Sequence, residues 1–96
     1  MAGFKELQKQ VHEFDQEMGW IDKPEHVVMH MQEELGEISR EILRGVGYKR
    51  EEMDSGALGQ EIIDLLYLTF KLANHYGIDV DAVWGVMRQR YRKTKG

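Results

Sequence analysis

Residues 61–73 read EIIDLLYLTFKLA, and the organisation of the chain follows from this segment. Set at about 100° per residue, its apolar side chains cover nearly the whole circumference of a helix. Ile62, Ile63, Leu65, Leu66, Leu68, Phe70, Leu72 and Ala73 cannot all face the core of one small monomer. A second subunit packed on this helix is the simplest remedy, so a homodimer or a homotetramer built as a dimer of dimers is expected. A central helix wrapped by its neighbours is the alternative. The segment sits in a predicted helix from about Ser55 to Tyr76, with Gly77 in the C-terminal stop position.

The helical period recurs on both sides of it. Phe4, Leu7, Val11, Phe14 and Met18 form one apolar stripe that ends at Gly19. A second helix begins near Pro24, a residue favoured in the first turn, and runs to about Arg44. Val27, Val28, Met31, Leu35, Ile38 and Ile42 are its expected inner side. Asp79 is a suitable N-cap for the last helix, where Val80, Val83, Trp84, Met87 and Tyr91 are expected to be buried. Residues 45–59 carry Gly45, Gly47, Gly56 and Gly59 and no apolar period, which predicts a loop. No stretch alternates as a strand does. The expected fold is therefore all-α, a four-helix bundle forming a single domain over residues 1–96.

The bulk numbers narrow the function. A chain of 96 residues with 42% apolar content builds one small core. A net charge of −4 argues against nucleic acid as the main partner, because that partner demands a positive field. With no cysteine, neither a disulfide framework nor a thiolate metal site is available. The first ten residues lack the apolar core of a signal peptide, and the longest apolar run is too short for a bilayer. The expectation is a cytoplasmic protein without a membrane partner.

Two acidic pairs carry the chemistry. Glu34 and Glu37 stand three residues apart on the second helix, and Glu61 and Asp64 do so on the third. Residues at that spacing project together. Two such pairs on facing helices set four carboxylates around one point, where a hard divalent cation is the natural occupant. An acidic helix surface exposed to water would look similar on the second helix. Glu61 is harder to read that way, since it shares a stripe with Leu65, Leu68 and Leu72. A carboxylate there needs a cation, a proton or a water-filled cleft. Mg²⁺ (or Mn²⁺) is expected, an ion that keeps waters and prefers a few carboxylates plus substrate phosphates.

The pattern Glu-Glu-x-x-Glu followed by Glu-x-x-Asp resembles the signature of the MazG-type all-α nucleotide pyrophosphohydrolases. The segments HMQEELGEISREIL and EIIDLLYLTFKLANHYGID, within residues 19–84, carry the resemblance. It implies hydrolysis of a nucleoside or deoxynucleoside triphosphate to the monophosphate and pyrophosphate, with Glu34, Glu37, Glu61 and Asp64 as metal ligands. Glu33 is the candidate general base, being a neighbour of the metal set with no ligand role of its own. An ordinary exposed glutamate is its other reading. Lys71 and Asn74 match polar positions of the family and are candidate phosphate or sugar contacts, although Lys71 could simply snorkel from an apolar helix. Arg88 is a further phosphate candidate on the last helix, where relatives commonly carry a lysine at the position of Met87. Trp20 is the candidate base-stacking residue, with burial in the core as its alternative.

The glycine-bearing loop lacks the Gly-Lys-Ser/Thr ending of a phosphate-binding P-loop, and could be a flap over substrate, with Lys49 and Arg50 touching phosphate, or a bare connection. His26 and His30, four residues apart, make only a weak zinc pair. Phosphoribosyl-ATP is the alternative substrate, since its pyrophosphohydrolases also carry Asp-Leu-Leu-Tyr after the acidic motif; the run from Ala73 to Asp79 favours a MazG domain. A non-catalytic helical dimerisation or adaptor domain would explain the apolar third helix and leave Glu61 without a cause. A ferritin-like di-iron bundle is disfavoured because neither acidic pair is completed by a histidine at the Glu-x-x-His spacing.

Overall fold

Local stop and start signals set the helices where the sequence places them. In the computed structural model, which describes residues 3–47 and 52–95, α1 is Phe4–Met18, α2 Pro24–Gly45, α3 Ser55–His75 and α4 Val80–Lys95. The class is all-α, with no strand among the described residues. Gly19 ends α1 with φ 70° and Gly77 follows α3 with φ 64°. A Cβ would find open space at both positions, so backbone conformation, and not crowding, is what calls for glycine there. Pro24 opens α2, and Asp79 caps α4 through its Oδ1, which accepts from the Ala82 N–H at 3.2 Å. Gly56 and Gly59 belong to the first turns of α3, so the predicted loop of residues 45–59 is shorter than expected. No helix among the described residues is long and apolar enough to cross a membrane.

The chain divides into two compact units, residues 1–21 with 70–96, and residues 22–69. In the first, α1 and α4 pack together and the end of α3 joins them. The Phe4 ring lies 5.9 Å from that of Phe70 and 6.4 Å, edge-on, from that of Trp84. Val11, Phe70 and Ala73 are buried beside the polar residues Gln8, Asp15 and Lys71. Asp81, on α4, accepts from the Phe4 and Lys5 N–H groups at 3.2 and 2.9 Å and so caps the start of α1.

In the second unit α2 and the first part of α3 run antiparallel. A methyl group on Gly45 would come 3.2 Å from the Met53 Cβ, Glu41 bonds the Asp54 N–H, and Glu34 lies within electrostatic reach of Asp64. Falling numbers on α2 thus meet rising numbers on α3. The buried line of α2 is Val27, Glu34 and Glu41.

The expected apolar faces need correction. Val28, Leu35 and Ile42, predicted to be inside on α2, are exposed, as are Phe14 and Met18 on α1 and Val83, Trp84 and Tyr91 on α4. On α3 only Leu68, Phe70, Lys71 and Ala73 are buried, while Ile62, Ile63 and Leu66 are open. The apolar arcs are wide, and a wide arc does not reveal which of its lines turns inward.

Candidate metal-binding site

All four expected ligands lie on the α2–α3 pair. Glu34 retains 7% of its surface, which makes it one of the most buried charged groups among the described residues. Its Oε1 sits 3.3 Å from the His30 Nε2, one turn back on α2. Its Oε2 is sealed from solvent and has no hydrogen-bond partner. Glu61, half-buried on α3, carries a second sealed Oε2 in the same condition. Glu37 is half-buried and Asp64 exposed. Asp64 borders an open cleft of about 520 Å³ together with Gly56, Gly59, Gln60 and Ile63, where the two glycines leave the α3 backbone approachable.

The electrostatics are those of an acid short of cations. Burial, above all, raises the Glu34 carboxyl above its ordinary value; the negative charges of Glu37 and then Asp64 raise it further, and His30 pulls the other way. The coupling places Glu34, Glu37 and Asp64 in one neighbourhood. It stops short of a closed cage: among the described residues no three His, Asp or Glu side chains converge closely enough to hold a metal ion by themselves.

Buried polar atoms in folded proteins are nearly always hydrogen-bonded, and these two carboxylate oxygens, one on α2 and one on α3, are exceptions to that rule. An ionised carboxylate only accepts, and the donor set is all oxygen, which selects a hard cation over zinc or copper. Mg²⁺ in particular takes few protein ligands and keeps waters, so it suits carboxylates that share a region without closing around a point. The residues present fit such an ion.

The other expected site residues fall differently. Glu33 is exposed on α2, beside Glu34 in sequence. Lys71 is buried, 8% exposed, and its Nζ donates to the Trp20 carbonyl at 2.8 Å and meets Asp15 Oδ1 at 3.4 Å. Asn74 spends its amide on Gln8: Oδ1 accepts from Gln8 Nε2 at 3.0 Å, and Nδ2 donates to the Gln8 carbonyl at 2.9 Å. Gln8 goes on to donate to the Ile78 carbonyl and to accept from the Val80 N–H. Lys71 and Asn74 therefore hold the first unit together. Trp20 is about half exposed (47%). Arg88 is exposed on α4 in a shallow basic groove with Arg90 and Lys93. Lys49 and Arg50 lie outside the described residues.

The sequence does not disclose the partners of three residues. His30 stands four residues before Glu34, a helical spacing that could have paired them. Asp15, the partner of Lys71, carries no such signal because 56 residues separate the two. Glu41 reads as one more surface acid, yet it is only 3% exposed.

A family model described as phosphoribosyl-ATP pyrophosphohydrolase matches residues 4–91, from the first residue of α1 far into α4. No curated protein and no solved structure matches the chain significantly.

Proposed function

Because the chain belongs to the phosphoribosyl-ATP pyrophosphohydrolase family, within the MazG-like all-α superfamily, we propose that it hydrolyses a nucleoside triphosphate to the monophosphate and pyrophosphate with Mg²⁺. The observation that carries this reading is the pair of sealed, partnerless carboxylate oxygens on Glu34 and Glu61. Glu34, Glu37, Glu61 and Asp64 would hold the ion, with Mn²⁺ as a substitute. When bound, it would offset phosphate charge and lower the pKa of a water.

The chain's own residues supply the rest. Water adds across the α–β phosphoanhydride, and the proton it loses needs an acceptor. Glu33, exposed next to the buried Glu34, is our candidate for that acceptor. The cleft beside Asp64 offers room for the triphosphate, and Trp20 and Arg88 remain candidates for base and phosphate contacts. Lys71 and Asn74, candidates for phosphate or sugar contact, also hold Asp15, Trp20 and Gln8 in place.

A second substrate is favoured by one specific finding. The sequence motifs point to a nucleoside triphosphate, whereas the matching family description names phosphoribosyl-ATP, which carries the same triphosphate group. Pyrophosphate release measured over a panel of NTPs, dNTPs and phosphoribosyl-ATP with Mg²⁺ separates the two. Release from any of them that needs Mg²⁺ and collapses in Glu33→Gln, with metal binding retained, is the expected result; no release from the whole panel removes the hydrolase reading. Self-association is part of the proposal, supported by the exposed line Val28–Leu35–Ile42 and by Ile62, Ile63 and Leu66. Sedimentation at micromolar concentration should give a dimer or tetramer, and a clean monomer would refute it.

A further inference from the structure

Glu41 is the most buried acid among the described residues, and the proposed reaction gives it nothing to do. Both of its oxygens are committed. Oε2 accepts from Arg44 Nη1 at 3.1 Å, within α2, and Oε1 accepts from the backbone N–H of Asp54 at 2.6 Å. The second bond is the informative one. Asp54 is the residue on which α3 starts: its Oδ1 accepts from the Ala57 N–H at 3.1 Å, and its carbonyl accepts from the Leu58 N–H at 3.0 Å. A carboxylate of α2 therefore grips the cap of α3.

The register of that grip matches the register of the acids. Glu41 follows Glu34 by seven residues, and Glu61 follows Asp54 by seven. Seven residues are nearly two turns, so each pair lies on one face of its helix, about 10 Å apart along the axis. On an antiparallel pair, counting seven residues along each helix from the Glu41–Asp54 contact brings Glu34 and Glu61 to the same height. A helix pinned at its cap cannot slide or rotate without breaking the cap bond. One held there presents Glu61 and Asp64 to α2 at a fixed height.

From this we propose that Glu41 is a positioning residue for the metal-binding acids: by holding the Asp54 N–H it sets the register of α3, and so the spacing between Glu34 and the Glu61–Asp64 pair. It touches neither ion nor substrate. Supporting residues of this kind commonly change metal affinity by about 10- to 100-fold when lost. The inference rests on the metal-dependent reading above and adds a residue to it.

The experiment uses the full chain in four forms: wild type, Glu41→Gln, Glu41→Asp and Glu41→Leu. Mn²⁺ binding is followed by its electron paramagnetic resonance signal, and pyrophosphate release is measured against Mg²⁺ concentration, with far-ultraviolet circular dichroism checking each fold. Glutamine keeps one acceptor oxygen for the Asp54 N–H and gives up both the charge and the acceptor that Arg44 Nη1 uses; because the Asp54 bond is the one that sets register, its Mn²⁺ affinity should stay within about twofold of wild type. Aspartate keeps the charge and retracts the oxygen; leucine removes it. Both should need roughly tenfold more metal for half-saturation, with kcat at saturating metal largely recovered. Should leucine fail to fold, the aspartate–glutamine contrast decides alone. Equal Mn²⁺ affinity in aspartate and glutamine variants overturns the positioning role. A wild-type chain that binds no Mn²⁺ and releases no pyrophosphate overturns the hydrolase reading itself, a result that looks quite different.

Discussion

The two units of the chain bury polar groups in opposite ways. In the unit of residues 1–21 and 70–96, Gln8, Asn74, Lys71 and Asp15 saturate one another and nearby backbone. In the unit of residues 22–69, Glu34 and Glu61 each hold an oxygen away from water with no donor to meet it. A satisfied buried network costs little and specifies structure, whereas an unsatisfied one is tolerated only where a ligand completes it. Under the proposed function, the difference separates scaffold from site. It also explains why two residues with plausible phosphate chemistry, Lys71 and Asn74, fall on the scaffold side.

Three measurements bear on that contrast, beginning with the largest effect. Glu34→Gln removes the charge that would meet the metal and keeps the shape, so turnover should fall by roughly 100-fold or more. The same change relieves a buried charge, so the melting temperature without metal should hold or rise. A variant that keeps wild-type turnover would dissolve the distinction. Lys71→Met removes a buried donor from Asp15 and the Trp20 carbonyl, and should cost about 3 kcal/mol of unfolding free energy in urea at unchanged m. Its Mn²⁺ affinity should not move; a weakened affinity in a fully stable variant would return Lys71 to the site.

The smallest effect is in the pH profile. The Glu34 carboxyl is raised in the folded state, so below its ordinary value both folded and unfolded chains carry the proton and the stabilising contribution is complete. As pH rises through the raised value the folded state must ionise a buried group, and that contribution is lost. Without metal, acidification from neutral through this window should therefore raise the melting temperature relative to Glu34→Gln, which lacks the titration. Saturating Mg²⁺ should erase the difference. An identical pH dependence in the two metal-free proteins would mean that burial does not press on Glu34.

What the sequence discloses depends on how far apart the interacting residues lie. Gly19, Pro24, Gly77 and Asp79 act on their own turns, and the helices begin and end where these residues say. Glu34 with Glu37 and Glu61 with Asp64 are legible for the same reason, since helical spacing is local geometry. The inward faces are not. Val27 and Val28 are neighbours of equal apolarity, yet the first is buried and the second exposed, because the choice belongs to whatever packs against α2. Lys71 reaches Asp15 across 56 residues and Glu41 reaches Asp54 across 13, and no pattern within either helix announces such a partner. Sequence reasoning rates Glu61 as the acid most in need of explanation; the fold gives Glu34 the deeper burial, since its line on α2 turns inward.

The bond from Asp81 to the first amides of α1 carries one further consequence. Phe4 and Lys5 lack the acceptor that a preceding helical turn would supply, and take theirs from a residue 77 and 76 positions later. Their amide hydrogens are thus a clock for a distant event: they exchange with deuterium at the pace at which the start of α4 lets go, however firmly the rest of α1 is wound.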